Sequence, residues 1–280
     1  MNIKILSDST CDLSAQLLTE NNITLVPLTV VKADEQFKDG ITITPTDIFQ
    51  HVANGGALCS TSANSVGEYA DIFAEYVPNY DGIIHITLGS GFSSCYQNAC
   101  LAAEDFPSVR VIDSQNLSTG QGLVVLKACE LAKTAADLDE LAAELIAFTE
   151  KVESSFLVDK LDYLVKGGRC SSAAALGANL LNLKPCIEVK NGKMVVAKKY
   201  RGNYAKCLAN YVKDRLANRD DLDRNILFVT KTVVSDECYD AVKSAVNEYG
   251  HFGTVYETDA GCTVSCHCGP GTLGVLFVRK

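Results

Sequence analysis

The sequence has too few basic residues to favour a protein that binds nucleic acid. Its 25 lysines and arginines are outnumbered by 34 aspartates and glutamates, which gives a formal net charge of −9. Affinity for nucleic acid rests mainly on lysine and arginine side chains that neutralise phosphates. We therefore expect a small molecule or another protein as the partner, and no nucleic acid.

The sequence also lacks a long apolar run. Asp8 follows the N-terminal Met1 after only a few apolar residues, so this start has no room for the core of a signal peptide. No later apolar run approaches the length of a membrane span. These absences predict a cytoplasmic protein without a membrane span. With 280 residues, 47% of them hydrophobic, the chain can form one large or two ordinary domains.

Several catalytic motifs are missing as well. The sequence contains no G-x-x-x-x-G-K-[ST] loop, no kinase signature set, no acidic cluster suited to magnesium and no G-x-S-x-G elbow. We expect that this chain does not use ATP by itself and carries no cofactor.

Cysteine, in contrast, is abundant. The 12 cysteines are scattered through strand-like and helix-like segments, which favours reduced, buried thiols over a disulfide scaffold. Cys262, Cys266 and Cys268 surround His267, but they lack the C-x2-C pairs typical of structural zinc sites. We predict no metal here. The Gly269-Pro270-Gly271 segment that follows predicts a tight turn that holds His267 in place.

The hydrophobic pattern predicts an N-terminal parallel-sheet α/β domain at 1–157 and a C-terminal mixed α+β domain at 158–280. The first domain alternates helices with four apolar strands: IKILSD, ITLVPLTVV, GIIHITLG and VRVIDS. Thr44 and Ser65 are the expected N-caps of two of its helices, and longer helices follow at about 118–135 and 137–152. In the second domain, Asn191-Gly192 predicts a hairpin between two strands.

Two loops after strands of the first domain are rich in hydroxyl groups. The loop CSTSANS at 59–65 precedes a helix, and the loop LGSGFSSCYQNA at 88–99 places Ser93 and Ser94 at a helix start. Hydroxyls and backbone amides at a helix N-terminus can bind a phosphate or a carboxylate. Helix capping alone accounts for one or two hydroxyls in each loop, but not readily for both loops.

Three kinds of site are compatible with these loops. A dinucleotide site would use Gly89-x-Gly91 and Asp113, although Ser94 replaces the third glycine. A serine hydrolase would use Ser93 as nucleophile and His267 as base, without an identifiable acidic partner. A carboxylate site would need only donors and no nucleophile.

Six separated motifs, in order, resemble the DegV family of bacterial fatty-acid-binding proteins. They are SDSTCDL, VIDSQNLSTGQG, LDYLVKGGRCSS, LLNLKPCIEVKNG, KKYRGNYAKCL and the turn His267-Cys268-Gly269-Pro270-Gly271. The resemblance covers nearly the whole chain and implies a two-domain protein that holds one long-chain fatty acid. It also implies a lipid-binding carrier, rather than an enzyme, that presents the acid to a separate fatty acid kinase subunit for acyl-phosphate formation.

The resemblance also implies the ligand-binding residues. Thr61 and Ser93 match the family's carboxylate-binding hydroxyls, with Ser62 and Ser94 beside them, and Arg169 and His267 match its polar residues near the head group. The sequence departs from the family pattern at Ala63, Asn64 and Ser94. Arg201 is expected to face solvent, as a candidate for docking the partner. The apolar helices near 123–146 and the AAALGANLL segment are possible walls for the acyl tail, and a monomer is expected.

Overall fold

The computed structural model describes residues 1–175 and 183–280. The strands, in chain order, are β1 (Ile3–Asp8), β2 (Thr24–Val26), β3 (Thr29–Lys32), β4 (Glu35–Lys38), β5 (Ser60–Ser62), β6 (Gly82–Thr87), β7 (Val109–Asp113), β8 (Val152–Leu157), β9 (Leu183–Lys190), β10 (Lys193–Arg201), β11 (Leu222–Lys231), β12 (Thr254–Asp259) and β13 (Leu273–Arg279). The α-helices are α1 (Ala15–Glu20), α2 (Pro45–Ala53), α3 (Val66–Tyr76), α4 (Cys95–Ala103), α5 (Thr119–Ala132), α6 (Leu138–Thr149), α7 (Asp162–Gly167), α8 (Ser171–Ala174), α9 (Tyr204–Leu216), α10 (Asp236–Tyr249) and α11 (Cys262–Cys268).

The N-terminal part is built on a parallel sheet with the strand order β2-β1-β6-β7. One predicted strand, ITLVPLTVV, is in fact two. Strand β2 ends before Pro27, which has no N–H to donate to a neighbouring strand, and β3 begins beyond it in a separate antiparallel sheet with the order β4-β3-β5. The chain thus changes sheets at the proline.

The C-terminal part is built on a mixed sheet with the order β10-β9-β8-β13-β11-β12, in which only β11 and β12 are parallel. This confirms the predicted fold class, and Asn191-Gly192 forms the hairpin turn between β9 and β10. Strand β8 was missed from sequence. Although it lies before the predicted division at 157, it pairs with β9 and β13 of the second sheet, and α6 ends at Thr149 to make room for it.

Helix α5 lies between the two large sheets. It packs against β1 and β6 on one side and against β8 and β13 on the other, and Leu123, Val124 and Val125 are fully or nearly buried there. This burial on both sides explains why the helix is apolar almost all round. Leu123 and Leu145 belong to a core cluster that also includes Phe228 and Leu276, so one core joins the two sheets.

Helix α11 was not predicted, because a seven-residue element is too short to show periodicity. It comes from the C-terminal half of the chain, yet it packs against α2 and α7, and Cys262 and Cys266 share a core cluster with Val30 and Ile48. The predicted turn follows the helix, with Gly269 at φ 74°. Because α11 carries His267, this packing brings C-terminal chemistry to the N-terminal loops.

Candidate functional site

The first hydroxyl-rich segment forms a short edge strand instead of the predicted loop. Residues of β5 pair with β3, and this pairing fixes Thr61 opposite Val30. Just beyond the strand, Ser65 caps α3 by accepting a hydrogen bond from the Glu68 N–H, and the Glu68 carboxylate accepts one from the Ser65 N–H in return. The Ser65 hydroxyl therefore serves the helix, and the Ser62 hydroxyl donates to the Ala63 carbonyl oxygen at 3.2 Å.

The side chains of Thr61 and His267 contact each other. The Thr61 Oγ1 lies 2.8 Å from the His267 Nε2, a hydrogen bond between residues 206 positions apart. Burial, with a further contribution from the nearby charge of Arg169, lowers the pKa of His267 to about 4. The imidazole is consequently neutral near pH 7, so it contributes hydrogen bonding to the site and not positive charge.

The two glycines before Arg169 have separate roles. A Cβ on Gly167 would lie only 2.5 Å from the His267 Nδ1, so the imidazole packs where a side chain would otherwise stand. Gly168 ends α7 at φ 69°, in the left-handed conformation that glycine adopts without a steric penalty. The two glycines thus end the helix and turn the chain so that Arg169 faces the cavity.

Arg169 joins α7 to the second hydroxyl-rich loop. Its Nε donates to the Phe92 carbonyl oxygen at 3.3 Å and its Nη1 to the Gly167 carbonyl oxygen at 2.8 Å. Within residues 1–175 and 183–280, no carboxylate forms an ion pair with Arg169. The guanidinium is thus held by backbone carbonyls, and its charge remains available to an anion.

These residues line a narrow cavity of about 50 Å³. Its polar lining includes Thr61, Ser62, Ser93, Arg169 and His267, and its apolar lining consists of Leu28, Ala63, Leu88, Phe92, Leu117, Met194, Val264 and Cys268. Five of the six predicted ligand-binding residues therefore meet at one cavity. The sixth, Ser94, is exposed at the start of α4 and does not line it, and neither does the exposed Arg201 at the end of β10.

Sequence reasoning missed two hydroxyls of this lining, those of Thr10 and Thr263. Thr10 donates to the Gln121 Oε1 at 2.7 Å, and Thr263 donates to the Asp39 Oδ2 at 2.7 Å. Each hydroxyl hydrogen is already used, so neither residue is free to donate to a ligand. Thr10 lies in the SDSTCDL motif, which was a signal in the sequence that this segment is near the site.

The geometry does not favour the dinucleotide alternative. The Asp113 carboxylate accepts hydrogen bonds from the Ser90 N–H at 3.0 Å and from the Gln115 N–H at 2.9 Å, and it does not line the cavity. A Cβ on Gly91 would lie 2.0 Å from the carbonyl oxygen of Gly192 at the hairpin tip. Gly91 is thus small because the hairpin turn between β9 and β10 packs against it. The hydrogen bonds of Asp113 stabilise the loop.

The geometry does not favour a serine hydrolase either. The Ser93 hydroxyl pairs with the thiol of Cys95, whereas the His267 Nε2 pairs with Thr61. The His267 Nδ1, where a triad would place a carboxylate, has no hydrogen-bond partner in the described part of the chain. Ser93 and His267 are therefore neighbours in one cavity without the hydrogen bonds of a nucleophile, a base and an orienting acid.

Two buried carboxylates of the N-terminal half hold the start of α11. Asp39 accepts from the N–H groups of Cys262 at 2.9 Å and Thr263 at 3.2 Å, and Asp12 accepts from the Gly261 N–H at 2.9 Å. Amide groups at a helix start lack partners within the helix, so these carboxylates stabilise α11. Through α11 they also fix the position of His267.

Asp12 predicts a pH dependence of stability. Burial, and to a lesser degree the nearby Asp39, raises the pKa of Asp12 to about 7, against the lowering effect of hydrogen bonds from Ser118 and Gly261. The folded protein therefore keeps this proton to a higher pH than the unfolded chain, and the free energy of unfolding falls as the pH rises from 3.8 to about 7. Between about pH 5 and pH 8 the loss is about 2–3 kcal/mol.

Asp12→Asn removes the titratable carboxyl group. The free energy of unfolding of this variant should therefore not decrease by about 2–3 kcal/mol between about pH 5 and pH 8. Urea unfolding of both proteins at the two pH values measures the difference, and exposed Asp71→Asn is the control that should follow the parent protein. Equal pH dependence in the parent and in Asp12→Asn would contradict the prediction.

The cysteines near His267 are packed among apolar side chains. The Cys262 Sγ donates to the Ile43 carbonyl oxygen at 3.2 Å, and burial raises the pKa of the Cys262 thiol to about 12. The part of the chain that the structure describes contains no group of three or more His, Cys, Asp or Glu side chains able to hold a metal ion.

Within residues 1–175 and 183–280, no helix is long and apolar enough to cross a membrane.

The fold and cavity define a protein of two large sheets and one small sheet, with a cavity lined by apolar side chains and by hydroxyl, imidazole and guanidinium groups. The chain belongs to the DegV family, because the family model described as "Uncharacterised protein, DegV family" matches residues 2–280. A DegV domain-containing protein of Clostridium acetobutylicum is 32% identical over 282 residues, which cover 99% of each chain. The resemblance seen in the six sequence motifs is thereby confirmed.

Solved structures show the same fold. A DegV family protein from Thermus thermophilus, described by its fatty acid binding, has a TM-score of 0.90 and 30% identity over 100% of both chains. A stearic-acid-binding protein from Eubacterium ventriosum has a TM-score of 0.81 and 26% identity over 99% of this chain and 98% of that chain.

Proposed function

We propose that this protein binds a long-chain fatty acid, with the carboxylate at Thr61, Ser93, Arg169 and His267 and the acyl tail in the apolar cavity. The observation that carries the proposal is that these four side chains line one cavity together with apolar side chains, among them Leu28, Leu88, Phe92, Leu117 and Val264. The fatty acid binding described for the Thermus thermophilus structure supports it.

Physical chemistry favours an amphipathic acid over a wholly polar ligand. A carboxylate that leaves water needs several donors, and the hydroxyls of Thr61 and Ser93 with the guanidinium of Arg169 provide them. Each buried methylene adds about 0.8 kcal/mol, so a long tail binds tightly without polar contacts.

We propose a path for the tail through a second, smaller cavity. It shares Leu117, Val264 and Cys268 with the first cavity and continues between Phe156 and Leu276. The helices near 123–146, considered as walls from sequence, pack in the core, and Leu123 and Leu145 line neither cavity. Of the AAALGANLL segment, the residues from 176 onward lie outside the described residues.

Val264 tests this path because it lines both cavities. Val264→Phe should narrow the passage, so that affinity for an eighteen-carbon acid falls by roughly tenfold or more while a ten-carbon acid is retained. Titration of both acids by calorimetry measures the effect, and Val264→Ala is the control that leaves the passage open. If Val264→Phe weakens the two acids equally, the tail does not follow this path.

We further propose that the protein is a carrier that presents the carboxylate to a separate kinase for acyl-phosphate formation. The support is that the chain has hydroxyl, amide and guanidinium donors for a carboxylate, but no sequence motif for a metal-bound nucleotide. Arg201, exposed at the end of β10, is the proposed docking residue for that kinase. A cytoplasmic location and a monomeric state remain predictions from sequence.

The direct test is mass spectrometry of lipid extracted from the purified protein. We expect one long-chain fatty acid per chain. A nucleotide in its place would overturn the proposal in favour of a dinucleotide enzyme, and hydrolysis of a model ester that depends on Ser93 would favour a hydrolase.

A further inference from the structure

Cys95, at the start of α4, is not one of the predicted ligand-binding residues. Its thiol nevertheless lies between the two segments that carry the hydroxyl groups of Thr61 and Ser93. Its Sγ lies 3.0 Å from the Ser93 Oγ, and its N–H donates to the same oxygen at 3.3 Å. The thiol also lies near the Asn64 N–H and the Tyr69 hydroxyl. One fully buried sulfur thus lies among the segment of Thr61, the loop of Ser93 and helix α3.

The neighbours of Cys95 are themselves held in fixed orientations. The Tyr69 hydroxyl donates to the Asp8 Oδ1 at 2.9 Å, and Asp8 also accepts from the Leu88 N–H at 2.9 Å and lies 3.2 Å from the His85 Nε2. Asp8, Tyr69 and His85 are fully buried. The Tyr69 hydrogen is therefore committed to Asp8, which leaves the thiol hydrogen of Cys95 and the hydroxyl hydrogen of Ser93 to set the direction of the bond between them.

We propose that Cys95 is a positioning residue for the carboxylate site: its S–H donates to the Ser93 Oγ and so directs the Ser93 hydrogen to the ligand. This inference rests on the proposed fatty-acid function. A hydroxyl has one hydrogen and two acceptor positions. When the Cys95 N–H and S–H occupy both acceptor positions of Ser93, the hydroxyl hydrogen points away from Cys95 and toward the cavity that Ser93 lines.

The thiol is suited to this role because it keeps its hydrogen. Burial, with a smaller contribution from the charge of Asp8, raises the pKa of Cys95 to about 12, so the sulfur carries a proton at neutral pH. A protonated thiol has one hydrogen to donate, and the Ser93 Oγ is 3.0 Å away. The carboxylate would then receive a hydrogen bond from a hydroxyl that is already oriented, which lowers the entropic cost of binding.

The test compares a fatty acid with the alcohol of the same chain length, which has the same tail and no carboxylate. Cys95→Ala should lower the affinity for the acid by about tenfold and leave that for the alcohol within about twofold of the parent protein, because a charged carboxylate gains more from the oriented hydrogen than a neutral hydroxyl does. Cys95→Ser, which keeps a donor at this position, should restore most of the affinity for the acid. If Cys95 had only a structural role, Cys95→Ala would lower the affinity for the acid and for the alcohol equally.

Two matched controls are available on the same helix. Asn98→Ala removes the hydrogen bond from Asn98 to the Asn64 carbonyl oxygen, 2.7 Å long, and so loosens the two segments without touching Ser93. It should affect acid and alcohol alike. Cys100→Ala removes a neighbouring thiol that makes no contact with Ser93 and should change neither affinity.

Infrared spectroscopy provides a second measurement. If Cys95 had only a structural role, addition of the ligand would not change its S–H stretching band. Addition of the acid should shift one S–H stretching band, because the Cys95 hydrogen bond to Ser93 strengthens when Ser93 donates to the carboxylate. The shift should be absent in Cys95→Ala and present in Cys100→Ala. Equal loss of acid and alcohol in Cys95→Ala, or the same band shift without Cys95, would overturn the inference. A parent protein that binds neither ligand would instead overturn the proposed function itself.

Discussion

Replacing Thr61 and Ser93 together with alanine is expected to weaken fatty-acid binding by roughly a hundredfold or more while the fold remains intact. Loss of a hydrogen bond to a charged group costs about 1.5–3 kcal/mol, which corresponds to roughly ten- to a hundredfold in affinity for each hydroxyl. The two side chains lie on different segments, so neither can take over the hydrogen bond of the other. Thr61→Ala also removes the partner of the His267 Nε2.

Calorimetric titration with a long-chain acid measures this effect, and the thermal unfolding midpoint reports on the fold. Ser94→Ala is the matched control, because Ser94 follows Ser93 directly, is exposed and makes no side-chain capping bond to α4. Its affinity should equal that of the parent protein. Unchanged affinity in the double variant would remove both hydroxyls from the site.

The second large effect is expected in the kinase-coupled reaction. Arg169→Ala and His267→Ala should each retain bound fatty acid at least in part and lose acyl-phosphate formation with a cognate kinase and ATP. The attacking carboxylate must approach the negatively charged phosphates of ATP, and the Arg169 guanidinium can offset that repulsion. His267 is neutral, with a pKa of about 4, so its contribution is to hold Thr61 and to orient the carboxylate.

This assay separates charge from geometry. Arg169→Lys keeps the charge but loses the paired contacts to the carbonyl oxygens of Phe92 and Gly167, so intermediate activity is expected. Lys166→Ala is the control, because Lys166 is an exposed cation on α7 that does not line the cavity. Full coupled activity in both alanine variants would contradict the assignment, and ATP-dependent turnover by the chain alone would contradict the carrier proposal.

Local signals in the sequence were sufficient for much of the fold. Thr44 and Ser65 cap their helices as predicted, since a capping box is made by residues three positions apart. Asn191-Gly192 sets the hairpin because its backbone angles suit a tight turn. The first parallel sheet follows from apolar strands that alternate with helices. The motifs also pointed to Thr61, Ser62, Ser93, Arg169 and His267, and these five residues line one cavity.

By itself, then, the sequence determined most of the helices and strands, the fold class and the family, because each of these depends on neighbouring residues or on short motifs. Only the tertiary structure decided that β8 joins the second sheet, that α11 exists, and that Asp39 holds it from 223 residues away. It alone placed the Cys95 thiol beside Ser93 and Asn64. The physical reason is that a short helix, a buried carboxylate and a buried thiol are stabilised by partners distant in sequence, and no local pattern of residues specifies which distant partner will be near.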